Sequence, residues 1–168
     1  MTKKVKRVVI SEEASLKKVR ELTMSLADEG CVCPNCNRLV KIYARPLHAE
    51  MALFLIKLVK KYQQHPKWYS TEEILRENNH LKVGGTNGSL LIYWDLIERS
   101  DDTNRGNAAC GLYRPTIEGI DFVYQRLRVP SHAHLRNDIG RECTGMSDKK
   151  IYITEALGKK FDYPELMG

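Results

Sequence analysis

The chain has 168 residues, of which 42% are hydrophobic, 29% charged and 8% aromatic, an ordinary globular composition that excludes collagen-like and intrinsically disordered classes. Lysine and arginine number 27 against 21 acids, a net charge of +6 that would attract a polyanion without identifying one. The longest apolar stretch, Met51 to Ile56, is far short of the roughly 20 residues that span a bilayer.

At the N-terminus, Lys3, Lys4, Lys6 and Arg7 are followed only by Val8, Val9 and Ile10 before Ser11, Glu12 and Glu13. No signal-peptide core is present, and the expected location is the cytoplasm. Residues 1–10 read as a basic tail or short strand. Ser11 is a candidate N-cap for a first helix, with Leu16, Val19, Leu22, Met24 and Leu26 on its apolar side and Gly30 at its end. Five cysteines without an export signal fit reduced thiols or metal ligands rather than a disulfide framework.

After the cysteines a short β-like run (Leu39, Val40, Ile42, Tyr43) leads to Pro46, where the longest helix is expected to start. Its apolar stripe, Leu47, Met51, Phe54, Leu55, Leu58 and Tyr62, is widened by Ala52, Leu53, Ile56 and Val59, which predicts burial on two sides. Ser70, Thr71, Glu72 and Glu73 form a capping box for a helix over 71–78. Gly84, Gly85 and Gly88 mark a turn. Ser89 through Glu98 then predict a third helix rich in apolar side chains, running into a strand that ends near 97–99. A polar loop follows, then a strand Leu112–Arg114 that completes a hairpin, and a helix capped by Thr116 that reaches about Leu127. Beyond Pro130, residues 132–136, 139–143 and 151–153 alternate like the strands of a small meander, with a turn at Asn137-Asp138.

Helix, capped helix, helix, hairpin, helix is the element order of a winged helix-turn-helix domain. The segment Tyr113-Arg114-Pro115-Thr116-Ile117-Glu118-Gly119 resembles the wing-to-helix signature of winged-helix regulators, an aromatic strand residue followed by Thr-x-x-Gly. Pro115 stands where that signature has Leu or Ile, which places the last wing strand at an edge. The chain also resembles small phage and prophage proteins in which a Cys-Pro-x-Cys knuckle precedes a winged helix and a β-rich tail. The shared features are Cys33-Pro34-Asn35-Cys36, Tyr93 to Glu98, Thr116 to Gly119, Val129-Pro130 and Ala156 to Tyr163. The expected fold is therefore α+β: an N-terminal helix and cysteine knuckle (1–45), a winged-helix core (46–128) and a C-terminal β-rich extension (129–168).

The resemblance implies a phage- or mobile-element-encoded DNA-binding protein, a regulator or accessory factor, with double-stranded DNA as partner and a homodimer formed through the long helix. The exposed side of the third helix argues for caution on specificity. No Lys or Arg lies between Lys82 and Arg99, and of the candidate exposed positions Thr86, Asn87, Ser89, Ile92 and Asp95 only Asn87 is of a type suited to base edges, with Ser89 beside it as a further candidate contact. Phosphate contacts would come from Lys57, Lys60, Lys61, Arg105, Arg126 and Arg128, with Arg136 and Arg141 on the tail hairpin. The alternative is a protein-binding module, such as an inhibitor of a host defence complex, using the same scaffold as an interaction surface.

Cys33 and Cys36 form half of a zinc site, with Asn37 suited to the left-handed position that ends such a turn. Cys31 and His48 are the nearby candidates for completing it, and a metal-free hydrophobic turn is the competing expectation. Cys110 is expected as an isolated small residue. On the tail hairpin, a two-residue turn would set Cys143 opposite His132 and Arg141 opposite His134. No phosphate-binding loop, nucleophile elbow or metalloprotease helix is present, so no catalytic residues are assigned and the protein is not expected to be an enzyme.

Overall fold

The structure, a computed structural model, describes residues 6–7, 15–76, 87–100, 111–136 and 142–168. It is a mixed α+β chain, and no helix among the described residues is long and apolar enough to cross a membrane. Two compact units form: unit 1 comprises residues 1–45 and 132–147, unit 2 residues 46–131 and 148–168. Residues 129–131 and 148–168 thus fall in unit 2 and residues 132–147 in unit 1. Ser11, Arg105, Cys110, Arg141 and the 137–138 turn lie outside the described residues.

In unit 1, β1 (Lys6–Arg7) runs parallel to β2 (Cys31–Val32), which pairs antiparallel with β3 (Leu39–Val40). Helix α1 (Leu16–Ser25) is capped by Ser15, whose hydroxyl accepts from the Lys18 N–H. Its inward residues are Val19 and Thr23, while Leu16 and Met24, expected inside, are 76% and 40% exposed. Thr23 replaces them by bonding its hydroxyl to the Val19 and Arg20 carbonyls, both at 3.0 Å, which lets a polar residue face inward. A second sheet has the order β10-β9-β4, from β4 (Ile42–Pro46), β9 (His132–Arg136) and β10 (Cys143–Met146). A register shift between Cys143 and Gly145 pairs Cys143 with Leu135 and Gly145 with His134. Cys143 therefore opposes Leu135 and not His132: the Arg136 N–H donates to the Glu142 carbonyl at 3.0 Å, so five residues rather than the expected two separate the paired ends.

Unit 2 is built on α2 (Ala49–Gln64), which begins three residues after Pro46. Met51 through Ile56, with Leu58 and Val59, are all exposed by 3% or less. Their cover comes from α3 (Thr71–Leu75), a 3-10 helix (Gly88–Trp94), β7 (Leu112–Pro115), α4 (Ile117–Val123) and α5 (Ile153–Leu157). Burial on two sides thus holds, and it corrects the expected dimer interface: these apolar residues are covered within the unit, leaving no apolar side of α2 for a second copy. The capping box of α3 is complete, with the Ser70 hydroxyl accepting from the Glu73 N–H at 3.2 Å and the Glu73 carboxylate accepting from the Ser70 N–H at 2.8 Å.

The expected α-helix over 89–98 is instead the seven-residue 3-10 helix, bounded by left-handed Asn87 and Asp95. Gly88, Leu91 and Trp94 are its buried residues, a spacing of three that suits 3.0 residues per turn. Gly88 permits the close approach to α2, since a Cβ there would lie 2.5 Å from the Phe54 ring. Two strands, β5 (Tyr69–Ser70) and β6 (Ile97–Arg99), flank β7 in the order β5-β7-β6. Pro115 therefore ends a central strand, not an edge strand. The two-residue β5 pairs only with Leu112 and Tyr113, so the missing N–H of Pro115 removes no bond to it.

After β7, Thr116 Oγ1 accepts from the Gly119 N–H at 2.9 Å and donates to the Asp95 carbonyl at 2.6 Å. A Cβ on Gly119 would lie 2.0 Å from the Leu96 carbonyl oxygen. The Thr-x-x-Gly segment is thus a clamp joining α4 to the end of the 3-10 helix. Helix α4 stops at Val123, short of Leu127, with Gln125 in the left-handed region at φ 60°. Strand β8 (Val129–Pro130) pairs with β11 (Lys150–Ile151), and α6 (Tyr163–Met167) ends the unit.

Candidate nucleic-acid interface and cysteine turn

The first turn of the 3-10 helix exposes Asn87 and Ser89, and its outer face continues with Ile92, 39% exposed, and Asp95. Asn87 supplies no side-chain cap, so its amide is not committed to holding the helix. This face contains no cation among its described residues. Its chemistry suits one or two polar contacts and an apolar one, and lacks the Arg or Lys that reads guanine edges.

The cations lie elsewhere in unit 2. Lys57, Lys60 and Lys61 of α2 line a groove of about 320 Å³ shared with Ile74, Glu165 and Leu166, but the Lys57 ammonium is buried and so is not placed to meet a phosphate as expected. Within it, Lys60 donates to the Leu166 carbonyl at 2.9 Å, and so faces the last turn of α6. Arg126 is 3.6 Å from Asp121 and lies over the Tyr124 ring at 5.3 Å. Arg128 donates to the Lys150 carbonyl at 3.1 Å, is 3.8 Å from Glu155 and stacks 4.8 Å from the Tyr152 centroid. Both arginines are at least half exposed, so these ion pairs are weak and exchangeable for phosphate.

A group not singled out from the sequence lies beside the hairpin. Arg114 pairs with Glu98 at 2.8 Å and stands 4.5 Å over the Trp68 ring. Its position follows from register, since Glu98 and Arg114 are directly paired across β6 and β7; opposite charges at paired strand positions were the available signal.

In unit 1 the cysteine turn closes through the Cys33 N–H to the Arg38 carbonyl and the Asn37 N–H to the Cys33 carbonyl, each 2.9 Å. Asn37 takes φ 54°, the left-handed conformation expected of it. Burial pushes the Cys33 thiol up, but hydrogen bonds from the Cys36 and Asn35 backbone and from the Cys36 side chain outweigh it, leaving Cys33 below the ordinary thiol value.

Cys31 has a different place. It is fully buried with Ala27 and Val40, its thiol faces the Thr23 carbonyl at 3.5 Å, and burial raises its pKa. It belongs to the core rather than to the exposed turn carrying Cys36. His48 sits in unit 2 at the N-cap of α2 without a side-chain capping bond, and burial lowers its pKa. Among the described residues no group of three or more His, Cys, Asp or Glu side chains is placed to hold a metal. Cys33 and Cys36 are a two-thiol half-site, short of the four ligands of a closed structural zinc.

No family model matches the chain, and no curated protein or solved structure gives a significant match.

Proposed function

We propose that the chain is a winged-helix DNA-binding protein, a regulator or accessory factor of a phage or mobile element, that holds duplex DNA chiefly through phosphate contacts. The observation that carries this is the strand order β5-β7-β6: a strand placed between α2 and α3 pairs with the returning arm of a hairpin. That topology is the one a wing requires, and the Thr116–Gly119 clamp fixes the helix that follows it. The phage setting rests on the motif resemblance alone. Lys60, Lys61, Arg126 and Arg128 supply the phosphate-binding charge; the Lys57 ammonium is buried, and Arg105 lies outside the described residues. Asn87 and Ser89 are the groups that approach the bases.

Fluorescence-polarisation titration with random duplex DNA over a salt series tests this. About four phosphate contacts give a slope of log affinity on log salt near −3.6. Binding that is flat with salt contradicts the proposal.

One observation favours a second reading, a protein-binding module. The outer side of the 3-10 helix has no cation, and Ile92 and Ile117 are 39% and 76% exposed. On that reading the same scaffold docks on a protein, and duplex binding is absent even at low salt. Zinc belongs to either reading only if two ligands join Cys33 and Cys36 from beyond the described groups. A metal assay on protein purified without added zinc decides it, a stoichiometric ion supporting the site and its absence removing it.

A further inference from the structure

Unit 1 contains a cavity of about 790 Å³ between the exposed side of α1 and the cysteine turn. This lies within the 300–1,000 Å³ range of small-molecule sites. Its walls fall into two chemical classes. Leu16, Val19, Leu39 and Val40 form an apolar wall, while Arg20, Arg38 and Arg136 bring guanidinium groups from a helix, a turn and a strand. Among the described lining residues the carboxylate is Glu142.

Arg136 anchors this arrangement. Its side chain is 5% exposed, and one guanidinium nitrogen lies 2.5 Å from a Glu142 oxygen while the other donates to the Met24 sulfur at 2.8 Å. Arg136 and Glu142 pair with each other, so among the described lining residues the exposed Arg20 and Arg38 carry the remaining charge. Charge complementarity therefore selects an anion, and the apolar wall selects one with a hydrophobic body.

We propose that this cavity is a binding site for a small organic carboxylate with an apolar body, its head held by Arg20 and Arg38 and its body against Leu16, Val19, Leu39 and Val40. Inorganic anions fit poorly, because they leave the apolar wall wet. The site is independent of the nucleic-acid reading, since every residue in it belongs to unit 1. Cys33 and Cys36 also line the cavity, so an occupant shields a thiol whose reactivity can be followed directly.

The test uses the full chain with 4-phenylbutyrate and its uncharged twin 4-phenylbutanamide, followed by amide NMR shifts. The carboxylate binds saturably with a dissociation constant of about 1 mM or tighter, as expected for a dozen heavy atoms, and shifts residues of α1 and of 33–40. The amide binds at least about tenfold more weakly, the factor expected from losing a charge-assisted hydrogen bond. An Arg20→Ala/Arg38→Ala variant, altered only at exposed positions and checked for an unchanged spectrum, loses about tenfold or more for the carboxylate alone. As a separate readout, the carboxylate slows iodoacetamide labelling of Cys36 in proportion to occupancy. Equal binding of amide and carboxylate, unchanged binding by the double variant, or absence of saturable shifts overturns the proposal.

Discussion

Unit 2 gathers its apolar residues around one helix, with eight residues of α2 exposed by 3% or less. Unit 1 has a short core of Ala27, Cys31 and Val40, with Leu26, Cys33 and Ile42 partly buried against it. The difference teaches where each unit can place chemistry. A densely packed unit fixes its elements by contact, to the point that two glycines sit where no Cβ fits, and its polar groups are left for the outer surface. Unit 1 also buries Val19, Ala133 and Leu135, but no single helix collects its apolar residues, and its arginines and thiols line a cavity. Nucleic-acid contacts are accordingly sought on the surface of unit 2, and a small ligand inside unit 1.

The contrast is most sharply broken at Gly119. Gly119→Ala drives a methyl group against the Leu96 carbonyl and costs about 3 kcal/mol or more. Both tryptophans, Trp68 and Trp94, belong to unit 2, so denaturant unfolding followed by tryptophan fluorescence reads the loss. A midpoint equal to that of the parent chain would mean that α4 is not clamped there. Phe54→Ala, which removes the ring against Gly88 and its edge contact with Tyr113 at 6.4 Å, costs about 3–5 kcal/mol by the same measurement. Thr116→Ala costs less, about 1–2 kcal/mol, since it removes one cap and one bond to the Asp95 carbonyl.

In unit 1 the expected effects are no larger. Cys31→Ser costs about 1–2 kcal/mol, because the shorter C–O bond leaves the buried hydroxyl beyond good hydrogen-bond reach of the Thr23 carbonyl that the thiol faces at 3.5 Å. Thiol labelling at neutral pH followed by peptide mass analysis should modify Cys33 well before Cys31, as the lowered and raised pKa values require. Equal rates would contradict the two environments.

The smallest effect concerns pH. The Ser70 backbone N–H, outweighing burial, holds the Glu73 carboxyl below its ordinary value. Its stabilising contribution is thus complete above the ordinary carboxylate range and fades as pH falls through the lowered value. Carboxyl NMR places the Glu73 midpoint below that of an exposed glutamate, and a midpoint at or above it would refute the capping bond.

Much of unit 2 was legible because its signals are local. The apolar run of α2 is dense enough to predict burial on two sides, and the Ser70–Glu73 box and the Thr116 cap need only three-residue spacing. Residues 89–98 misled because Leu90, Leu91, Tyr93, Trp94 and Ile97 fit an α-helical pattern as well as any. The better signal was the three-residue step through Gly88, Leu91 and Trp94. Sequence separation explains what was missed in unit 1. Arg136 looks like a surface cation on an alternating strand, and only the approach of Met24, 112 residues earlier, shows it to be buried. The β9–β10 register was likewise hidden, since the Asn137-Asp138 turn signal predicts a two-residue connection where five residues separate Arg136 from Glu142.

The central claim is that unit 2 binds duplex DNA by charge, and the most direct measurement is polarisation of a labelled random duplex at low and at physiological salt. It compares the parent chain with an Arg126→Glu/Arg128→Glu variant. The account predicts binding at low salt that falls steeply with salt and weakens about tenfold or more in the variant. Absence of binding at low salt, or equal affinity of the two proteins, would contradict it.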